Sequence, residues 1–235
     1  MQPDTAARAA HNWPAFALRV AITAVALGLW FWTQSLIGSR QLSVNGITDA
    51  AHQWMAPINS YLLVHPRATN ALLVISSAFI DAFGLFLLFA WIFGRSVRPF
   101  LSLLLVMGLR QFMQGMCALP APHGIIWHDP GFPSLLVTYK VANDFFFSGH
   151  TAIAVLGVYE LSRLNRRWLT LPACMVLVFE VVTVFSLRVH YTMDVFTGIV
   201  TALLVSILSS RVAPAIDHRL LGRRKVPSAM AASAK

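Results

Sequence analysis

Two histidines stand at breaks in strongly apolar sequence, and each has polar neighbours suited to phosphate chemistry. His150 follows three phenylalanines, 145–147, in the segment S-G-H-T, 148–151. Ser148 can cap a helix that begins there, and Gly149 lets the backbone approach a ligand. The free N–H groups of a first helical turn favour an anion. The segment therefore predicts a phosphate-binding helix start that carries an imidazole.

The second histidine, His190, precedes a carboxylate at a four-residue spacing in H-Y-T-M-D, 190–194. On a helix, His190 and Asp194 lie on one side. A carboxylate beside one ring nitrogen fixes the tautomer and makes the other nitrogen a better nucleophile. With His150 as proton donor, these residues have the groups needed to break a phosphoester through a phosphohistidine. The alternative is that each histidine is structural, since one H-x-x-x-D pattern occurs readily by chance.

The composition indicates which kind of fold positions these residues. Hydrophobic residues make up 57% of the 235-residue chain and charged residues 11%, against about a quarter charged in soluble domains. We therefore predict an integral membrane protein built as a single bundle. The net charge of +9 would suggest nucleic acid in a soluble protein. Here we assign it to basic inner loops beside anionic lipid, and we predict no nucleic-acid partner.

Six apolar segments predict an all-α bundle of six transmembrane helices, because a span needs about 20 mainly apolar residues. The predicted spans are 15–37, 70–93, 99–119, 150–163, 168–187 and 193–210. Residues 1–14 are then a cytoplasmic N-terminus and 15–211 the catalytic membrane domain. Residues 212–235 form a basic cytoplasmic tail that we expect to be disordered.

The distribution of basic residues predicts the direction of these spans. With both termini in the cytoplasm, the inner segments hold twelve basic residues and the outer segments four: Arg8, Arg95, Arg98, Arg163, Arg166, Arg167, Arg211, Arg219, Arg223, Arg224, Lys225 and Lys235 against Arg40, Arg67, Lys140 and Arg188. His150 begins the fourth span and His190 follows the fifth. Both histidines are therefore expected at the outer, periplasmic or lumenal, face.

Three charged residues, Asp81, Arg110 and Glu180, fall inside predicted spans, where a charge is costly and rarely idle. For Arg110 we favour phosphate binding, whereas for Asp81 we favour a structural ion pair. The outer-loop residues His123, His128 and Asp129 match no known metal-ligand spacing. We predict no metal and no cofactor.

Three elements resemble the sphingomyelin synthase family. D-F-F-F-S-G-H-T, 144–151, is similar to that family's D-x-x-x-S-G-H-T, and H-Y-T-M-D-V, 190–195, is similar to its H-Y-T-x-D-V. Arg110 before L-P-A-P, 119–122, resembles a third element. The similarity spans about residues 108–204 and keeps the order and spacing of the motifs.

The resemblance implies six spans, a non-cytoplasmic site and transfer of a phospho-headgroup from a glycerophospholipid to ceramide or a related lipid alcohol such as diacylglycerol. It makes His190 the nucleophile, Asp194 its orienting group and His150 the acid and base, and it adds Asp144 to the site. Ala142-Asn143 replace a usual Cys-Gly, and a Pro-Leu-Pro-Asp element is absent. These departures concern the headgroup and the acceptor.

The wider PAP2 lipid phosphatase superfamily shares S-G-H and H-x-x-x-D but usually carries further arginine motifs. Thr183-Val184 stand where S-R is expected before the second histidine. A compact phosphate dianion favours an arginine cluster, so its absence here favours a phosphodiester with one negative charge. Arg110, Lys140 and Arg188 remain as phosphate-binding candidates. The alternatives are a lipid phosphatase, in which water replaces the acceptor, and a non-catalytic lipid-binding or transport protein.

Overall fold

The computed structural model describes residues 13–39, 47, 49–139 and 145–220, and in these ranges the chain is helical without a β-strand. The helices are α1 (Trp13–Gly38), α2 (Ala50–Trp54), α3 (Ala56–Val64), α4 (Pro66–Ile92), α5 (Arg98–Met116), α6 (Gly149–Ser162), α7 (Arg167–Ser186) and α8 (Thr192–Leu220). The predicted all-α membrane bundle is confirmed. Lys140 and Asp144, both predicted site residues, lie outside the described residues.

Four of the described helices, α1, α4, α7 and α8, are long and apolar enough to cross a membrane. The other two predicted spans correspond to α5, with 19 residues, and α6, with 14. At 1.5 Å per residue α6 is about 21 Å long, which is less than the roughly 30 Å of a hydrocarbon core. Six complete spans therefore stay a prediction, because α6 by itself is shorter than a hydrocarbon core.

Two boundaries differ from the predicted ones. Helix α8 continues to Leu220, so residues 212–220 of the predicted disordered tail are helical, and the remainder lies outside the described residues. The short helices α2 and α3 occupy a stretch where the sequence predicted no element. Pro57 and Pro66 stand in the first turns of α3 and α4, where the missing proline N–H costs nothing.

Helix α6 lies at the centre of the bundle, with residues 151–157 buried or nearly so, and it contacts α4, α5, α7 and α8. Its small residues allow this close packing. A Cβ added at Gly157 would lie 2.4 Å from the ring of Phe83 on α4, so only glycine lets these helices approach to this distance. The central position of α6 places its first residues, Gly149 and His150, inside the bundle.

The end of the bundle at which α6 and α8 begin is called the histidine end below, because His150 and His190 lie there. The opposite end is held by polar contacts. Arg98 donates two hydrogen bonds to Glu160, at 2.9 and 2.6 Å. Arg19 donates to the carbonyls of Trp91, Ile92 and Gly94. These contacts join α1, α4, α5 and α6 away from the site.

Asp81 on α4 accepts hydrogen bonds from the α5–α6 loop. Its carboxylate binds Ser134 Oγ at 3.0 Å and the backbone N–H groups of Leu135 and Leu136 at 2.8 and 2.9 Å. The structural role favoured from sequence is found, but the partner is loop backbone instead of an oppositely charged side chain. Asp81 thus supplies acceptors for this loop about 22 Å along α4 from Pro66.

Glu180 on α7 makes a contact between two helices. It is fully buried, and its Oε2 accepts a hydrogen bond of 2.7 Å from Ser76 of α4. The second oxygen, Oε1, has no hydrogen-bond partner among the described residues. Glu180 therefore lies between α4 and α7 and does not line the cavity that holds the histidines.

Candidate active site

The start of α6 is capped as the sequence predicts. Ser148 is the N-cap residue, and its hydroxyl accepts a hydrogen bond from Thr151 N–H at 3.3 Å. The backbone of α8 lies directly behind it, because Ser148 N–H donates to the carbonyl of Asp194 at 3.1 Å. A Cβ at Gly198 would lie 2.8 Å from the Ser148 carbonyl oxygen. Gly198, which sequence reasoning missed, therefore lets the two histidine-bearing segments come together.

His190 has both hydrogen-bond acceptors on one side of its ring. Its Nδ1 lies 2.8 Å from the backbone carbonyl of Phe145 and 3.8 Å from Oδ2 of Asp194. Since both neighbours are acceptors, Nδ1 carries the proton, and the lone pair of a neutral ring is on Nε2. The tautomer expected from Asp194 is thus present, but the direct hydrogen bond that fixes it comes from the Phe145 carbonyl.

Asp194 is fully buried. At 3.8 Å from Nδ1, its carboxylate is too far from the His190 ring for the direct hydrogen bond that the sequence predicted. Its Oδ2 accepts a hydrogen bond of 2.8 Å from Tyr191 N–H, and Oδ1 has no hydrogen-bond partner among the described residues. The difference follows from α8 beginning at Thr192. His190 precedes the helix, so the i,i+4 geometry assumed from sequence does not apply to it, and Asp194 instead caps the turn that presents the ring.

His150 and His190 face one cavity at the histidine end, with ring centroids 6.5 Å apart. The cavity encloses about 530 Å³ of empty space, open solvent included, and both histidines line it together with Arg110, Gly149 and Trp127. The Trp127 ring stands edge-on to His150 at 5.7 Å between centroids. The structure thus brings together two imidazoles from segments forty residues apart, as the predicted topology requires.

Arg110 of α5 lies at the base of this cavity and is buried. Its Nε donates to the Phe147 carbonyl at 2.9 Å, and Nη1 lies 3.4 Å from Gln114 Oε1. A Cβ at Gly149 would stand 3.1 Å from Arg110 Nε, so glycine at this helix start makes room for the guanidinium. The arrangement places a positive charge beside the N–H groups of the first turn of α6, where an anion is favoured.

Arg188, the other predicted phosphate partner that the structure describes, is engaged elsewhere. Its Nη1 donates to the His123 carbonyl at 2.8 Å and its Nη2 to the His52 carbonyl at 3.1 Å. It joins the α5–α6 loop to α2 and does not line the histidine cavity. This geometry indicates a structural role for Arg188.

Contacts of Asp49 and α2 with the segment that carries His190 were not predicted. Asp49 accepts hydrogen bonds from Thr192 N–H at 2.6 Å and from its hydroxyl at 2.7 Å, and His52 Nε2 donates to the His190 carbonyl at 2.9 Å. Burial raises the pKa of Asp49, but the hydrogen bonds from Thr192 and Ala51 and the nearby His52 together leave the pKa below its usual value. The feature of the sequence that could have drawn attention to these two residues is the Asp49-x-x-His52 spacing.

Tyr191 explains why the L-P-A-P segment accompanies the histidine motif. Its ring is buried, and its hydroxyl donates a hydrogen bond of 3.0 Å to the Pro120 carbonyl. Burial also raises the pKa of this phenol, which keeps it a donor. The segment after α5 is thereby tied to the residue next to His190. Among the described residues, no group of three or more His, Cys, Asp or Glu side chains is arranged to hold a metal ion.

Comparison with known proteins gives two matches that cover this site. The model of the AtPDCT1/2 family matches residues 48–211, a range that includes both histidine motifs and Arg110. Phosphatidylcholine:diacylglycerol cholinephosphotransferase 1 of Arabidopsis thaliana is 22% identical over 165 residues, which is 70% of this chain and 54% of that protein. The chain thus spans about half the length of this relative. The sphingomyelin synthase resemblance stays a prediction.

Proposed function

The chain belongs to the AtPDCT1/2 family, and from that membership we propose that it is a membrane lipid phosphotransferase acting through the histidine cavity. The observation that carries the proposal is the His190 geometry: Nδ1–H is held by the Phe145 carbonyl, so Nε2 has the free lone pair in a cavity shared with His150 and Arg110. A relative named for phosphatidylcholine and diacylglycerol supports these lipids as donor and acceptor.

In the first proposed step, His190 Nε2 attacks the phosphorus of phosphatidylcholine. The N–P bond forms as the bond between phosphorus and the diacylglycerol oxygen breaks, and His150 gives its proton to that oxygen. Phosphocholine is then held on His190, and diacylglycerol leaves. An imidazole suits both roles because it is a nucleophile when neutral and a proton donor when protonated.

In the second step the reaction runs in reverse with another lipid alcohol. Neutral His150 takes the proton of the acceptor hydroxyl, whose oxygen attacks phosphorus while the N–P bond breaks. The product is a new phospholipid, and His190 is neutral again. Asp194, 3.8 Å from Nδ1, stabilises the positive charge that the His190 ring carries in the phosphorylated state.

Arg110 and the first turn of α6 are proposed to hold the phosphate oxygens. A phosphodiester carries one negative charge, and a single buried guanidinium beside the N-terminus of a helix matches that charge. Extra arginines would suit a dianion better. Lys140 and Asp144, which flank this region in sequence, stay predicted contributors.

The basic-residue bias supports a site on the outer, non-cytoplasmic face, with both termini in the cytoplasm. The cavity is recessed, since Arg110 stands six residues, or about 9 Å, before the end of α5. A recessed site keeps water away from the phosphohistidine, which favours transfer to an alcohol over hydrolysis.

The proposal is tested by supplying the purified protein, in liposomes, with phosphatidylcholine labelled in the choline headgroup. Unlabelled acceptors with distinguishable acyl chains, diacylglycerol or ceramide, are added separately. We expect label in a new phosphatidylcholine that carries the acceptor's chains. Label in sphingomyelin would make ceramide the acceptor, label only in water-soluble phosphocholine would indicate a hydrolase, and label that never leaves the donor would indicate a lipid-binding protein.

A further inference from the structure

An apolar groove runs between α1 and α5 on the side of the bundle. It encloses about 760 Å³ of empty space, open solvent included, and none of its fourteen lining residues is charged. On α1 its lining extends from Thr23 to Thr33, about 15 Å along the helix, which is half of a roughly 30 Å hydrocarbon core. Leu29 and Leu104 on its rim are 56% and 45% exposed, so the groove opens sideways.

The groove and the histidine cavity are adjacent. Trp30, Met107 and Leu136 line both of them, and Arg110 of the cavity lies one turn from Met107 on the same helix. A lipid whose acyl chain lies in the groove would therefore have its glycerol end next to His150 and His190. This continuity distinguishes the groove from the other exposed apolar surface of the bundle.

Three groove residues carry buried polar atoms without a hydrogen-bond partner among the described residues: Thr23 Oγ1, Trp30 Nε1 and Gln111 Oε1. Unpaired polar atoms in an apolar site are costly, and they are the groups that an uncharged polar ligand would satisfy. Trp30 Nε1–H can donate to an ester carbonyl, and Gln111 Oε1 can accept from a hydroxyl. Neither group carries a charge that would balance a phosphate or a quaternary ammonium.

We propose that this groove is the diacylglycerol subsite, and that it serves both halves of the reaction. The proposal rests on the proposed function. The alcohol released from phosphatidylcholine and the alcohol that accepts the phosphocholine are both diacylglycerols, so one subsite can hold each in turn while the headgroup stays on His190. Diacylglycerol exchanges with the bilayer through the lateral opening, and the charged headgroup never enters the groove.

A Cβ can be added in the groove without displacing other side chains. A Cβ added at Gly108 has no heavy atom within 4 Å, and Gly108 lines the groove. Gly108→Leu therefore occupies chain-binding space. Gly28→Leu is the matched control, because its Cβ is equally unobstructed but Gly28 does not line the groove.

The first experiment measures kcat/KM for dioctanoylglycerol and dioleoylglycerol as acceptors. For Gly108→Leu we expect a loss of about tenfold or more with the long acceptor and of about threefold or less with the short one. Gly28→Leu should match wild type with both. The proposal is overturned if Gly108→Leu has wild-type thermal stability and the ratio of kcat/KM for the two acceptors is unchanged, whether both values fall equally or neither falls. If Gly108→Leu fails to fold, Leu104→Trp on the groove rim replaces it.

The second experiment does not depend on turnover. A diacylglycerol with a diazirine at the end of one acyl chain is photolysed with the protein in liposomes, and the labelled peptides are mapped. Label on α1 and α5 that is reduced in Gly108→Leu and retained in Gly28→Leu supports the groove as the diacylglycerol subsite. If the wild-type protein is labelled in this way but transfers no headgroup, the proposed function fails and the groove proposal stands. Active protein labelled elsewhere overturns the groove and leaves the function standing.

Discussion

The ring of His190 is oriented by the backbone of Phe145, because Nδ1 lies 2.8 Å from that carbonyl oxygen and 3.8 Å from Asp194 Oδ2. A carboxylate that makes the direct hydrogen bond supplies both the tautomer and the charge. Here the two contributions come from different groups. The carbonyl fixes the tautomer, and Asp194 adds a buried negative charge nearby.

This division predicts a limited effect of Asp194→Asn. The tautomer is kept by Phe145, so the substitution removes only the charge, and we expect kcat to fall by about 10- to 100-fold instead of the roughly 10⁴-fold seen where tautomer and charge are lost together. The measurement is the rate of headgroup transfer, with thermal unfolding as the control for folding. A loss near 10⁴-fold in a folded variant would show that Asp194 makes the decisive contact during turnover.

Substitutions of the two histidines are expected to impair different steps of the reaction. His190→Ala should eliminate both transfer and any acid-labile phosphoenzyme in a rapid quench, because it removes the nucleophile. His150→Ala should slow diacylglycerol release, and should slow much less the reaction of a donor such as p-nitrophenyl phosphocholine, whose leaving group needs no proton. Parallel double-reciprocal lines with varied donor and acceptor should accompany the covalent route. Intersecting lines without a phosphoenzyme would instead indicate a single displacement.

The sequence was sufficient to predict the membrane class. It also predicted that His150 and His190 lie close together, because the direction of the spans brings these two distant segments to one end of the bundle. It could not predict the Phe145 contact, since a backbone carbonyl has no residue-type signal. Asp81 was assigned a structural role but the wrong kind of partner, because its partners are a hydroxyl and two backbone N–H groups 53 to 55 residues along the chain. Short α2 carries too few residues for a periodic pattern.

Arg110→Lys tests the proposed phosphate contact. Lysine keeps the charge but loses the planar fork, so we expect kcat/KM for phosphatidylcholine to fall by about 10-fold or more with thermal stability near that of wild type. Gly149→Ala should act in the same direction, because its Cβ would stand 3.1 Å from Arg110 Nε and shift the guanidinium. Wild-type kinetics in Arg110→Lys would assign this arginine to packing alone.

Asp81→Ala is expected to destabilise the protein before it affects chemistry. It leaves two backbone N–H groups of the α5–α6 loop unpaired, at about 1–3 kcal/mol each, so the unfolding temperature in detergent should drop. Asp129→Ala is the matched control, since Asp129 is exposed and accepts a hydrogen bond from Gly131 N–H in the same loop. Equal unfolding temperatures for the two variants would contradict the anchoring role of Asp81.

The orientation of the bundle decides which membrane face supplies the substrates, and it rests on the twelve-to-four bias of basic residues. We expect the α6–α7 turn to be cytoplasmic and the α5–α6 loop to be outside. Single cysteines are placed at Leu164 and Asp129, both exposed, after Cys117 and Cys174 are replaced by alanine. A membrane-impermeant maleimide should label Asp129→Cys in intact cells and Leu164→Cys only after permeabilisation. The reverse pattern would move the histidine cavity to the cytoplasmic face, while leaving its chemistry, which depends on local contacts, unaltered.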